Sequence, residues 1–194
     1  EGPEEDTTPP SYPIAFSTTM ELYSAVDEYM MLTYGFPTAV SSGDSGSMVP
    51  VAERYGTIDS WDVSRLTDFS LVFHPDRNSY KDADFFIEMT LLSPFNEDIS
   101  SWNTSNAVTM EGLLAGCTNF TGNLSSWDMS RVTTLKAMFH SNKALDVDVG
   151  AWDVSLVSDF SFCFYQCSSF TGEGLELWGT NSATDMTGMF QGTA

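Results

Sequence analysis

Three aspartates stand directly after tryptophan, at Asp62, Asp128 and Asp153, with Asn103 in the equivalent place of a further unit. A serine follows two residues later in each, at Ser64, Ser105, Ser130 and Ser155. Two chemistries suit this column. Carboxylates repeated along one face supply the hard oxygen ligands that Ca²⁺ takes, which makes Asp62, Asp128 and Asp153 candidate calcium ligands. The same side chains can instead cap a bend, accepting hydrogen bonds from nearby backbone N–H groups. Asn replaces Asp well in capping and poorly as a charged ligand, so Asn103 favours the capping role. A second column, Asp98, Asn123 and Asp148, is expected on a sheet surface, where it would meet cations or a basic partner.

Other reactive groups are sparse. His74 and His140 occupy one repeat position two units apart and imply no triad or metal pair. There is no Gly-rich phosphate loop, C-x-x-C pair or nucleophile elbow. The chain therefore reads as non-enzymatic with no required cofactor, calcium being the one candidate ion. Cys117 and Cys167 share a repeat position two layers apart. At ~4.8 Å per layer that is roughly 10 Å, beyond disulfide reach. With Cys163 they are expected to fill core space. Met110, Met138, Met186 and Met189 are likewise expected to fill core rather than to bind copper. Sequons at Asn103, Asn119 and Asn123 permit glycosylation in a chain secreted by a eukaryote.

The tryptophans set the frame that positions these groups. Trp61, Trp102, Trp127, Trp152 and Trp178 are separated by 41, 25, 25 and 26 residues, and a fixed period of this size marks stacked repeats. Registered on Trp, five columns are apolar throughout. Three residues before it stand Ile58, Ile99, Leu124, Val149 and Leu175, and five after it Leu66, Ala107, Val132, Val157 and Ala183. Eight after it stand Phe69, Met110, Leu135, Phe160 and Met186, and twelve after it Phe73, Leu114, Phe139, Phe164 and Phe190. Phe95, Phe120, Leu145 and Phe170 close each turn. Apolar positions five, eight, eleven and twelve after Trp have helical spacing, as in Val132, Leu135, Met138 and Phe139. A short strand before Trp, for example 123–125, and a short helix after it, for example 134–139, match leucine-rich-repeat geometry. The expected fold is thus an α/β leucine-rich-repeat-like solenoid, with short parallel strands stacked into one sheet, short helices on the other face and an N-terminal capping helix.

Three regions follow. Residues 1–15, rich in Pro and acids, read as a disordered leader. Residues 16–54 form an N-terminal cap, with a helix over about 18–32 carrying the stripe Leu22, Val26, Tyr29 and Met30, then a loop. Residues 55–194 hold five units of about 25 residues, the last incomplete, with an insertion at about 74–94. The insertion carries the charged run 81–84 and the apolar run 85–87, and insertions in repeats map to loops, often on a binding face. A start at Glu1 and an end inside a repeat suggest a trimmed or excised domain.

Formal net charge is −20, from 27 acidic and 7 basic residues. Nucleic acid and anionic membrane surfaces are disfavoured as partners, cationic ones favoured. No stretch approaches 18 uninterrupted apolar residues, so no membrane span is expected.

Residues 120–133 (FTGNLSSWDMSRVT) and 158–170 (SDFSFCFYQCSSF) resemble the two halves of the F-N-x-D-I-S-S-W-D-V-S-x-V-T-D-M-x-x-M-F and M-F-x-G-C-S-S-F repeat. That is the repeat of the BspA-like surface proteins, a leucine-rich-repeat relative of bacterial surface lipoproteins and of algal, especially diatom, proteins. The segment 55–64 (YGTIDSWDVS) after a helical leader resembles algal members. The resemblance spans roughly residues 16–194. It implies a surface-exposed or secreted module, extracellular or in the lumen of a membrane-bounded compartment, that binds protein or glycan and has no catalytic residues. The alternative is a structural subunit packing through its open C-terminal repeat end or lateral face. The insertion after Phe73, and Trp178-Gly179 where the pattern has Trp-Asp, depart from the family; an Asp ladder should fail at Gly179.

Overall fold

The computed structural model describes residues 14–35, 50–75, 77 and 92–193. Residues 1–13 of the expected leader, most of the loop after the first helix, and the runs 81–84 and 85–87 of the insertion lie outside these. Among the described residues there are two α-helices, α1 (Thr19–Tyr34) and α2 (Val51–Tyr55), and short 3₁₀ turns at Ile58–Ser60 and Leu175–Leu177.

The expected sheet and the helices opposite it are not formed. Parallel pairing is confined to isolated bridges, Asp68 to Thr109 to Thr134 to Asp159 to Asp185, one residue per layer. The segment 123–125 is not a strand, and in 134–139 the bridge residue Thr134 leads into turns over 136–139 rather than a helix. The leucine-rich-repeat-like architecture is therefore corrected to five layers of successive turns.

The backbone bonds explain why these turns hold together without a sheet. In the third layer the N–H groups of Leu135, Ala137, Phe139 and Ser141 donate to the carbonyls of Asp159, Ser161, Cys163 and Tyr165 in the fourth, at 2.8–3.0 Å. The alternate N–H groups, of Met138, His140 and Asn142, donate three residues back within their own layer. A parallel β-ladder sends N–H and C=O groups to both neighbours. Here, from the eighth to the fourteenth residue after Trp, every inter-layer bond runs from one layer to the next. Outside that stretch some backbone bonds run the other way, as where Thr133 N–H, next to the bridge residue, reaches back to Val108 C=O and Ala144 N–H to Thr118 C=O. The turns need left-handed backbone at the tenth residue after Trp, at Leu71, Gly112, Ala137, Phe162 and Gly188. At Gly188 a Cβ would also meet the Phe162 ring at 2.6 Å.

Side chains fill the layers as the columns require. Trp61, Trp102, Trp127 and Trp152 are each at most 3 % exposed. The indole pairs Trp61–Trp102 and Trp152–Trp178 lie nearly parallel with centroids 6.4 and 6.3 Å apart. From Trp102 onward each indole N–H donates to a carbonyl three residues before the preceding Trp: Trp102 to Ile58, Trp127 to Ile99, Trp152 to Leu124 and Trp178 to Val149. One residue thus supplies both buried area and a directed inter-layer bond. Phe139, Phe164 and Phe190 stack in sequence at 5.5 and 5.8 Å, and Phe73 stacks on Phe95 at 3.8 Å.

The first layer has no predecessor, so its backward-facing carbonyls need other donors. They find them in the N-terminal helix and in Arg77, just beyond the first layer. Thr19 Oγ1 donates to Asp68 C=O at 2.7 Å, Tyr23 OH to Ser70 C=O at 2.5 Å and Arg77 to Val72 C=O at 2.7 Å. The helix bearing the first two starts at an N-cap, Thr18, whose hydroxyl accepts from Glu21 N–H, and ends at left-handed Gly35. It buries Leu22, Ala25, Val26 and Met30 against the first layer, with Tyr29 edge-on to Trp61. Arg77 also pairs with buried Asp27 and lies over the Tyr23 ring.

Trp127→Ala is expected to destabilise the chain by about 3–5 kcal/mol, since it empties a core position and deletes the bond to Ile99. Urea denaturation measures this; an unchanged midpoint would place the ring outside the core.

Candidate functional site

The exposed aspartate column is built by local turn chemistry. Asp62, Asn103, Asp128 and Asp153 are exposed, and each accepts through Oδ1 from the backbone N–H of the serine two residues on, at 3.0–3.1 Å. Ser130 and Ser105 also donate their hydroxyls to the same oxygens, at 2.6 and 2.8 Å. These bonds favour the ionised form and hold the Asp62, Asp128 and Asp153 carboxyls below the usual carboxylate range, the serine hydroxyl contributing most. Asp153 raises the Asp128 value slightly, the repulsion expected of like charges one layer apart.

The second column behaves the same way. Asp98, Asn123 and Asp148 accept from the backbone N–H groups of Ser100, Ser125 and Gly150, at 2.8–3.0 Å. A third column went unread in the sequence. Asp68, Asp159 and Asp185 accept from the N–H two residues on, and Thr109 and Thr134 do so through their hydroxyls. Its signal was the Asp/Thr alternation seven residues after Trp, one residue before an apolar column. Among the described residues no three His, Cys, Asp or Glu side chains gather as metal ligands. Each candidate calcium ligand instead serves its own turn.

At Gly179 the side-chain cap is absent. The bend is kept by its backbone bond alone, Ala183 N–H to Thr180 C=O at 3.1 Å, as Val132 N–H to Met129 C=O closes the third layer's bend.

The other candidates are dispersed. Asn103 and Asn123 are exposed turn acceptors, and Asn119 is exposed. Cys117, Cys163 and Cys167 are free and buried, and burial pushes the Cys117 and Cys167 thiols up to about 12. Cys167 Sγ donates to Phe139 C=O at 3.0 Å, and Asn142 Nδ2, at the same position one layer earlier, to Leu114 C=O at 3.3 Å. These side chains are inter-layer donors as well as filling. His140 is buried beneath Tyr165, its ring stacked at 4.6 Å and Nδ1 3.0 Å from Ser141 Oγ. Burial pulls its pKa down to about 4.

One end of the molecule differs from the rest. The apolar columns that are buried in the first four layers emerge in the fifth: Phe190 is 44 % exposed and Met186 45 %, beside Leu177 at 68 %. Trp178 is only half-buried.

A family model described as Mycoplasma protein of unknown function, DUF285, matches residues 81–194, more than half of the chain. The chain belongs to DUF285. The family is related to the BspA-like surface repeat proteins whose motif the Trp-Asp units resemble. No curated protein and no solved structure matches the chain. The DUF285 match takes in the second to fifth layers and begins after the first layer and its cap. No helix among the described residues is long and apolar enough to cross a membrane.

Two outcomes test the local chemistry. Asp128→Ala should lower stability by about 1 kcal/mol while Asp128→Asn leaves it nearly unchanged, because the amide oxygen still caps, as Asn103 does; urea midpoints compare the two. His140 is neutral when folded and accepts its proton more readily unfolded. Stability is therefore complete above about pH 6.5 and falls as the pH drops from there toward about 4, by roughly 3 kcal/mol for a fully buried ring. His140→Gln should flatten that part of the stability–pH curve.

Proposed function

We propose that this chain is a non-enzymatic interaction module, extracellular or at a cell surface, whose layered faces bind a protein or glycan partner of cationic character. The observation that carries this reading is the column Asp62, Asp128 and Asp153: exposed, in register and held ionised by serine. Carboxylates fixed on the first, third and fourth layers, with neutral Asn103 on the second, present a rigid line of charge, and the net charge of −20 adds long-range attraction for a basic partner. The relation of DUF285 to surface repeat proteins supports the location, and the 55–64 segment favours an algal source. A compartment lumen is the alternative location.

A second reading is a structural subunit that assembles through its C-terminal layer. The observation favouring it is the emergence of Met186 and Phe190 from columns that elsewhere are core.

The first reading is tested with oligolysine as the cationic probe. The triple variant Asp62→Asn, Asp128→Asn, Asp153→Asn keeps the caps and removes three charges. It should bind several-fold more weakly at low salt, with the wild-type advantage shrinking as ionic strength rises. Equal binding by the two proteins, measured by calorimetry, would remove the column from the function.

A further inference from the structure

Two turn positions in each of the second to fifth layers hold left-handed backbone, the tenth and fourteenth residues after Trp. The second layer has Gly112 and Gly116 there and the fifth Gly188 and Gly192, the residue type that takes this backbone freely. The third has the small Ala137 and Ser141. The fourth alone of these has large side chains, Phe162 and Gln166, both at φ 57°. Large residues held in this region are strained, and such residues cluster where ligands bind. Core packing does not call for them, since Ala137 and Ser141 serve the third layer. The Phe162 ring rests against Gly188, where a Cβ would meet it at 2.6 Å, and on the small cluster of Leu71, Ala115 and Ala137. It meets the Tyr165 ring edge-on at 5.8 Å, and Tyr165 in turn stacks on His140 at 4.6 Å. Gln166 Oε1 accepts from the Ser141 hydroxyl at 3.4 Å, which orients the amide and leaves its Nε2 group as a donor. Among the described residues of the first four layers, every aromatic side chain other than Phe162 and Tyr165 is buried. These two are half-buried and Gln166 is exposed, all with the fifth layer seated over them.

We propose that the turn 162–166 of the fourth layer is a binding site for a neutral oligosaccharide. Phe162 and Tyr165 supply aromatic surface against which the C–H groups of a pyranose pack. The Gln166 amide and Tyr165 hydroxyl supply the polar groups that orient its hydroxyls. Two observations select this occupant. First, the turn carries no charged side chain, in a chain of net charge −20, so a cationic partner finds no counter-charge in it. Second, the apolar surface is one layer tall. The third layer presents Ala137 and the fifth Gly188 at the place of Phe162. The site therefore offers no row of pockets along the stack, of the kind that a strand or helix of a protein partner engages. An aromatic pair with a neighbouring amide matches one or two sugar units. The proposal goes beyond the cationic reading above and stands independently of it.

The test is calorimetric titration of the full chain with cellopentaose, laminaripentaose and mannopentaose, each a neutral probe. At least one should bind with millimolar or tighter affinity and shift the amide resonances of Phe162, Tyr165 and Gln166. The variant Phe162→Ala, Tyr165→His, Gln166→Ser copies the third layer's Ala137, His140 and Ser141, side chains that this stack already holds in those places. It should lose at least tenfold in affinity for that sugar. The triple Asp→Asn variant of the aspartate column should bind it as the wild type does. No heat and no shift with any of the three probes would overturn the proposal. So would binding retained by the fourth-layer variant, shifts centred elsewhere in the stack, or weakening by the aspartate variant, which would move the sugar to the aspartate column. Should the fourth-layer variant fail to fold, the wild-type shift map decides.

Discussion

A one-directional backbone hydrogen bond, from alternate N–H groups of one layer to alternate carbonyls of the next, is the constraint on which the rest of the molecule depends. The remaining N–H groups bond three residues back, so each layer is closed on itself and open to its neighbours along one axis. Such a chain can turn at almost every residue and still satisfy its buried polar groups, as a buried backbone requires. The cost is backbone strain. Leu71, Ala137 and Phe162 hold left-handed conformations that L side chains rarely adopt, kept in place because the surrounding bonds and packing determine them.

The polarity of that bond also makes the two ends chemically unlike. The first layer shows acceptors, and every cap group that meets it is a donor: a threonine hydroxyl, a phenol and a guanidinium. Arg77 can be buried there because Asp27 neutralises it while Val72 C=O occupies a further N–H. The last layer shows donors. Helix α1 is therefore more than an apolar lid; its side chains are matched to one end of a directed stack and would not serve the other.

On the outer faces, side chains complete what the backbone leaves open. Asp, Asn and Thr close turns through the N–H two residues on, and this repeated task accounts for the three polar columns with no metal invoked. In the aspartate column the charge remains exposed after the turn is capped.

The Trp period, the apolar columns and the repeated Asp-x-Ser determined the number of layers and which residues lie in the core, because burial and local turn capping depend on residue type and short spacing. The expectation of strands and helices came from the same spacing and did not hold. Apolar residues at five, eight, eleven and twelve after Trp fit one face of a helix, and they fit equally a series of turns that returns every second or third side chain inward. Sequence spacing records which side chains face the core; it carries no record of where backbone N–H groups point. Only the tertiary structure decided that they point along the stack in one direction, since that choice is made by the neighbouring layer's carbonyls and by the cap residues, up to 49 positions away, that fix where the stack begins.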